Sequence, residues 1–210
     1  MNDNLKKFLG GIVSAAIVAI GIYGNYLPLR KSQLYISSSR EAYNARTLAD
    51  FEKAISPALD ASSPIGQSEL VRNVATTVMG VIANSSDNTP LVDASLKYIL
   101  AYYDPLIARG TGLSFEQDLY ILGLIYQRAY LKTQNPKYLE SSLFYYKEGY
   151  ARGPERPQFL YGLFDAYRLA GDAGNVDMIM GQILKEWPGD DAAKNAYTQF
   201  KNKVQEMNRK

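Results

Sequence analysis

The side chains with the greatest chemical potential in this sequence are carboxylates and tyrosines. Among 210 residues there are 17 tyrosines and one tryptophan, and there is no histidine and no cysteine. A Ser-His-Asp triad, a disulfide and a His/Cys zinc site are therefore excluded. Paired carboxylates could act as a general acid and base, and the candidate pairs are Glu140 with Glu148 and Asp190 with Asp191. No pattern around them predicts a pocket, so we interpret them as solvated helix charges.

The charge balance limits the partners further. The chain has 23 basic and 21 acidic side chains, a net charge of +2, and the residues after position 30 are neutral overall. Such a surface lacks the basic stripe that neutralises nucleic-acid phosphates, and the sequence has no glycine-rich phosphate loop. We predict no nucleic-acid partner, no small-molecule substrate, no cofactor and no metal. We also predict that the chain is not an enzyme on its own.

The residues most suited to binding a protein partner lie in an internal repeat. Shifted by 41 residues, segment 117–129 aligns with 158–170, and six of the thirteen positions are identical. Tyrosine and arginine give large contact areas with a polar end, which suits interaction hot spots. The same pairs could instead be duplicated residues that only help the copies to stack. The predicted partner-binding face consists of Gln117, Tyr120, Leu124, Gln127, Gln158, Tyr161, Asp165 and Arg168.

Helices must position these residues, because the apolar residues after position 31 recur with a helical period and glycine or proline separates the segments. We therefore predict an all-α fold. Local signals mark helix ends: a capping box from Ser114 to Gln117, an Asn135 cap followed by proline, and left-handed glycines at Gly153 and Gly171. The predicted helices cover residues 31–44, 46–60, 66–83, 91–108, 114–132, 137–152, 156–170, 174–186 and 190–208.

A membrane segment is predicted before these helices. Residues 8–29 form a run of 22 uncharged residues, which as a helix would reach about 33 Å and cross the hydrocarbon layer. Lys6 and Lys7 precede it, Arg30 and Lys31 follow it, and Pro28 should end the helix because proline lacks an amide hydrogen.

An uncleaved anchor is our prediction for this segment. A cleaved signal peptide, with a site near Ala19-Ile20-Gly21, and the core helix of a soluble protein are the alternatives. The domains are then residues 1–30, a tail with a single transmembrane helix, and residues 31–210, a helical repeat domain. Basic residues flank both ends of the span, so they do not decide its orientation.

The repeat resembles the tetratricopeptide repeat (TPR). Its first helix reads Leu122-Gly123-Leu124-Ile125-Tyr126, and the second copy keeps the spacing from Tyr167 through Gly171-Asp172 to Pro188. Phe164 departs from the pattern, since that family has a small residue there. The resemblance implies antiparallel helical hairpins that stack into an α-solenoid and bind proteins, with Tyr126 and Tyr167 in equivalent environments.

A second resemblance covers more of the chain. The order Asn25-x-x-Pro28, Leu48-x-x-Phe51-Glu52-Lys53-Ala54 and Ser63-Pro64-Ile65-Gly66-Gln67-x-Glu69, followed by helical repeats, resembles the C-terminal tail of bacterial O-antigen ligase-like membrane proteins. It implies a role in cell-envelope glycan assembly, and we predict the bacterial cytoplasmic membrane as the location. The sequence does not decide the side of the helical domain, and of the two sides we favour the extracytoplasmic one. The family's catalytic core has no counterpart in this sequence, so no catalytic residue is carried over.

These observations lead to two functional hypotheses. The first is a membrane-anchored TPR-like scaffold that binds a membrane-associated protein partner, in cell-envelope glycan assembly. The alternative is a non-catalytic subunit, or a detached tail, of an O-antigen ligase-like or polymerase-like glycosyl-transferring membrane enzyme.

Overall fold

The computed structural model describes residues 2–85, 89–112 and 114–209. Apart from short connecting loops these residues are helical, and they contain no β-strand, which confirms the predicted all-α class. Predicted and observed helices agree from position 46 onward, with ends that differ by a few residues. The helices are α1 Asp3–Gly21, a π-helical turn Ile22–Tyr26, α2 Leu27–Tyr43, α3 Leu48–Asp60, α4 Gln67–Asn84, α5 Thr89–Arg109, α6 Phe115–Thr133, α7 Pro136–Arg152, α8 Pro157–Ala170, α9 Ala173–Glu186 and α10 Asp191–Asn208.

The chain forms two compact units, Met1–Asn73 and Val74–Lys210, whose boundary lies inside α4. In the first unit one helical rod runs from Asp3 to Tyr43. Its N-terminal part exposes apolar side chains on all sides; Phe8 and Ile20, for example, are 65% and 67% exposed. Within the described residues this is the helix that is long and apolar enough to cross a membrane.

The prediction that Pro28 ends the helix is wrong. The rod continues through Pro28 because a π-helical turn, Ile22–Tyr26, lies directly before it. In this wider turn the amide of Leu27 donates to the carbonyl of Ile22, five residues back. In a regular α-helix the proline ring would clash with the carbonyl group of the residue four positions before it. The wider π-helical turn moves this carbonyl group away from the ring. The proline is then tolerated as an early residue of α2.

Lys31 joins three helices of the first unit. Its side chain is only 3% exposed. The ammonium group donates to the carbonyl of Ala61 at 2.6 Å and of Leu59 at 3.5 Å, and also to the side-chain oxygen of Gln67. The last carbonyl groups of a helix have no partner inside it, so Lys31 stabilises the C-terminal end of α3. From the sequence Lys31 is expected only as a charge that flanks the membrane segment, whereas in the structure its side chain is buried and bonded to α3 and α4.

In the second unit consecutive helices from α5 to α10 pack against each other, and α6 also contacts α8. The shared core includes three repeat residues, Leu119, Leu160 and Leu163, and the repeat residue Leu122 is also buried. Burial of such apolar side chains is the main favourable contribution to folding.

Glycines allow the closest approaches in this core. The ring of Tyr146, on α7, lies between α6 and α8, where a Cβ atom on Gly123 would be 2.4 Å and one on Gly162 2.7 Å from its Cε1 atom. A Cβ atom on Gly149 would be 1.9 Å from Cε1 of Phe159. Side chains larger than hydrogen are therefore incompatible with this packing unless the rings move.

The predicted helix ends are only partly correct. The side chain of Asn135 accepts from the amide of Lys137 at 3.2 Å, and Gly171 has a left-handed φ of +71°, as expected. The predicted capping box is wrong, since Ser114 makes no capping hydrogen bond and its backbone is not in the extended conformation of an N-cap. Gly153, which ends α7, is also not left-handed, with φ of −158°. A left-handed residue that was not predicted, Gln134, ends α6.

Candidate functional site

The predicted partner-binding residues lie on α6 and α8, and six of the eight line two adjoining cavities. The smaller, about 290 Å³, and the larger, about 560 Å³, share Gln127, Leu131 and Asp165. We call the two together the α6–α8 groove. Gln117 and Gln158 line neither cavity. The six residues in the groove are Tyr120, Leu124, Gln127, Tyr161, Asp165 and Arg168.

Tyr146, on α7, also lines the smaller cavity of the groove. The ring is fully buried between α6 and α8, while the hydroxyl donates to the side-chain oxygen of Gln127 at 2.8 Å. Burial raises the pKa of Tyr146, so the hydroxyl remains a donor at neutral pH. The sequence offered one signal for this residue, namely glycines on the two repeat helices, but nothing that paired them with a distant tyrosine.

An ion pair lies at the junction of the two cavities. The guanidinium group of Arg168 contacts the carboxylate of Asp165 at 3.0 Å and lies 5.3 Å from the ring centroid of Phe164. Burial raises the pKa of Asp165, and the neighbouring Arg168 opposes this shift. The groove therefore offers a fixed pair of opposite charges beside aromatic rings, an arrangement suited to polar recognition.

The last helix completes the larger cavity, a contribution the sequence analysis missed. Phe200 and Val204 of α10 lie beside the more exposed Lys203 and Met207 in its lining. The apolar spacing of 200, 204 and 207 matches one face of a helix. That spacing could have indicated the buried face but not which helices it covers.

Tyr161 connects the groove to the start of α10. Its hydroxyl donates to the carboxylate of Asp190, and the same carboxylate caps α10 by accepting from the amide of Ala193 at 2.9 Å. Burial together with this hydrogen bond raises the pKa of Tyr161 to about 12. The hydrogen bond from Tyr161, followed by that from Ala193, lowers the pKa of Asp190. Asp190 is thus a charge at the helix start, as interpreted, with an additional capping role, whereas Asp191 is exposed and pairs with Lys194.

The two copies of the repeat are equivalent in their leucines but not in their tyrosines. Tyr126 is half-buried and stacks on Tyr145, with ring centroids 5.7 Å apart and an interplanar angle of 13°. Tyr167 is buried, with the ammonium group of Lys147 5.6 Å from its ring centroid. The expected equivalence of Tyr126 and Tyr167 is therefore wrong. Both contacting side chains belong to α7, but Tyr145 contacts Tyr126 and Lys147 contacts Tyr167. In addition, α8 ends at Ala170 whereas α6 continues to Thr133.

Among the described residues, no group of three or more His, Cys, Asp or Glu side chains could hold a metal ion. Comparison of the chain with models of protein families, with curated proteins and with solved structures finds no match. The groove thus has to be interpreted from its own geometry. Its tyrosine, glutamine, aspartate and arginine side chains, set beside exposed apolar residues, can form hydrogen bonds and apolar contacts with another chain.

Proposed function

We propose that this protein is a membrane-anchored, TPR-like helical scaffold that binds a protein partner in the α6–α8 groove. The observation that carries the proposal is the convergence of six predicted residues on the two adjoining cavities. Tyr120 and Tyr161 are half-buried there, so each offers part of its ring and a hydroxyl at the edge of an apolar wall. Rigid amphipathic side chains of this kind dominate the energetics of protein interfaces.

The membrane is the proposed location of the partner. The apolar N-terminal rod is exposed along its whole first half, and a lipid layer would remove that surface from water. A partner that works with a tethered scaffold then lies in, or against, the same membrane. Cell-envelope glycan assembly on the extracytoplasmic side is the process we propose, on the basis of the resemblance to O-antigen ligase-like tails.

A specific contact supports the alternative function, that of a non-catalytic subunit or detached tail of an O-antigen ligase-like enzyme. Gln67 belongs to the Ser63–Glu69 segment on which that resemblance rests, and its side chain accepts a hydrogen bond from Lys31 beside the membrane segment. A segment of this kind would join a membrane helix to the domain that follows it, as the tail of a larger membrane protein requires.

Site-specific photo-crosslinking in native membranes tests the proposed groove. A photoreactive side chain at position 131 or 203, both in the groove, should form an adduct with one and the same protein. A matched probe at Glu140, exposed on α7, should not. Adducts with the same protein from all three positions, or none from the two groove positions, would contradict the assignment.

A charge-insertion pair measures the same interaction without crosslinking. Leu131 is 42% exposed in the groove, and Met178 is 59% exposed on α9 outside it. Leu131→Glu should weaken co-purification of the partner that the crosslinking identified, because the new carboxylate must be desolvated in the interface. Met178→Glu should leave this co-purification unchanged. Equal recovery with both variants would argue against the groove. Glycan transfer by the purified chain alone would overturn the scaffold role itself.

A further inference from the structure

A second groove lies on another face of the same unit, between α5, α6 and α7. Its cavity is about 490 Å³ in volume. The floor is apolar, and one wall carries the rings of Tyr126 and Tyr138 while the other carries Asp93, Lys97 and Asp104. We call it the α5–α7 groove. It shares no lining residue with the α6–α8 groove.

The aromatic wall is a ladder of three tyrosines. Tyr126 stacks on Tyr145, and its ring centroid lies 6.2 Å from that of Tyr138, to which it is tilted by 38°. All three rings are half-buried. In the described part of this unit, cations of the chain itself lie over four other rings, but over neither Tyr126 nor Tyr138. Those four pairs are Lys147 with Tyr167, Arg152 with Phe115, Arg168 with Phe164 and Lys201 with Tyr197.

The opposite wall is acidic. Asp93 and Asp104 are separated by three turns of α5, so both lie on the same side of the helix, about 16 Å apart. The hydroxyl of Tyr138 donates to Oδ1 of Asp93 and so fixes the orientation of that carboxylate. Asp104 is exposed and lies close enough to Tyr126 and Tyr145 to raise their pKa, although burial is the larger cause for both. With Lys97 between them, the wall has one net negative charge.

We propose that the α5–α7 groove binds a basic segment of a partner protein, with arginine guanidinium groups placed over the tyrosine rings and paired with Asp93 and Asp104. A guanidinium group is planar, stacks on aromatic faces and forms bidentate contacts with carboxylates. In an extended segment, basic residues about five positions apart would span the separation of the two carboxylates. This proposal does not rest on the proposed function of the α6–α8 groove.

A pair of synthetic peptides tests the charge requirement on the full-length protein in detergent micelles. One peptide is a fluorescently labelled Gly/Ser chain with two arginines five residues apart, and the other has citrulline, which is uncharged, in their place. Fluorescence anisotropy at fixed salt should show binding of the arginine peptide. The citrulline peptide should bind at least about tenfold more weakly, because it cannot form the charge-assisted hydrogen bonds.

Variants of the chain locate the peptide. Asp104→Asn should weaken binding about threefold or more by removing a charge pair, and Tyr126→Leu about two- to fivefold by removing the ring. Glu140→Gln removes an exposed carboxylate of α7 outside the groove and should have no effect. Because Asp104 is exposed, its substitution should not affect folding. The Asp104→Asn variant therefore still tests the proposal if Tyr126→Leu lowers the melting temperature.

Three results would overturn the proposal. The first is equal binding of the two peptides. The second is equal binding by the wild-type chain and Asp104→Asn. The third is loss of binding on Leu131→Glu with no change on Asp104→Asn, which would assign the peptide to the α6–α8 groove and leave the proposed function of that groove intact.

Discussion

Replacing Gly149 by alanine is the most direct test of the helix packing in the second unit. The new Cβ atom would lie 1.9 Å from Cε1 and 2.2 Å from Cζ of Phe159, whereas non-bonded carbon atoms prefer separations of about 3.5–4.0 Å. Phe159 is fully buried, so its ring cannot swing into solvent. Overpacking of this kind costs about 1–3 kcal/mol.

The alanine also has a favourable effect that must be separated from the clash. Alanine in a helix interior is more stable than glycine by about 1 kcal/mol. Gly181 on α9 provides the matched control, because nothing lies within 4 Å of a Cβ atom built there. We expect Gly181→Ala to stabilise the protein by up to about 1 kcal/mol and Gly149→Ala to destabilise it by up to about 2 kcal/mol. The difference between the two variants, about 1–3 kcal/mol, isolates the steric cost.

Urea denaturation of the full chain in detergent measures both variants. Trp187, the one tryptophan of the sequence, lies between α9 and α10, so its fluorescence reports the second unit. In thermal melts, 1 kcal/mol should shift the midpoint by about 3–5 °C for a unit of this size. Equal stabilisation by the two substitutions would show that Phe159 does not pack on Gly149 and would refute the close approach of α7 and α8.

Three further predictions concern the first unit, the Tyr161 contact and the membrane. Lys31→Met should destabilise the first unit by about 1–3 kcal/mol, because it leaves the carbonyl groups of Leu59 and Ala61 without their charged donor; faster proteolysis of the loop that follows α3 would report this. The decrease in the urea midpoint caused by Tyr161→Phe should be larger at pH 7 than at pH 3. The pKa of Asp190 is lowered in the folded chain, so its contribution is present above the unfolded pKa and is lost as the pH falls through the folded value; an equal loss at both pH values would contradict this. In sealed, right-side-out vesicles, external protease should digest the helical domain, as its proposed extracytoplasmic position requires, and full protection would place the domain on the other side.

The helices of this protein could be predicted from the sequence because their signals are local. Apolar residues at helical spacing give the buried face of each segment, and glycine or proline gives its approximate end. The same spacing places Tyr120, Leu124 and Gln127 on one face of α6, so their common position in the α6–α8 groove follows from the sequence. Their partner-binding role stays a prediction. The spacing of apolar residues cannot predict a local irregularity that lets a helix continue through a proline. The π-helical turn before Pro28 is such an irregularity.

The remaining parts of the candidate site depend on contacts between distant segments. Tyr146 is 19 residues from Gln127 in sequence, and Tyr161 is 29 from Asp190. Each hydrogen bond exists only because helix packing brings the two side chains together. The repeat alignment also failed for Tyr126 and Tyr167, since matched positions in a sequence acquire different neighbours when the helices around them differ in length and side chains.

The bond between Lys31 and the loop after α3 has a consequence for lipid contact. The rod from Asp3 to Tyr43 has 41 residues, or about 60 Å, twice the thickness of the hydrocarbon layer. With the apolar half immersed as proposed, Lys31 would lie at the level of the lipid headgroups and would hold the carbonyl of Ala61 there. In the proposed anchored state the loop after α3 would therefore be held close to the bilayer surface, which would keep the first unit from turning freely about the rod.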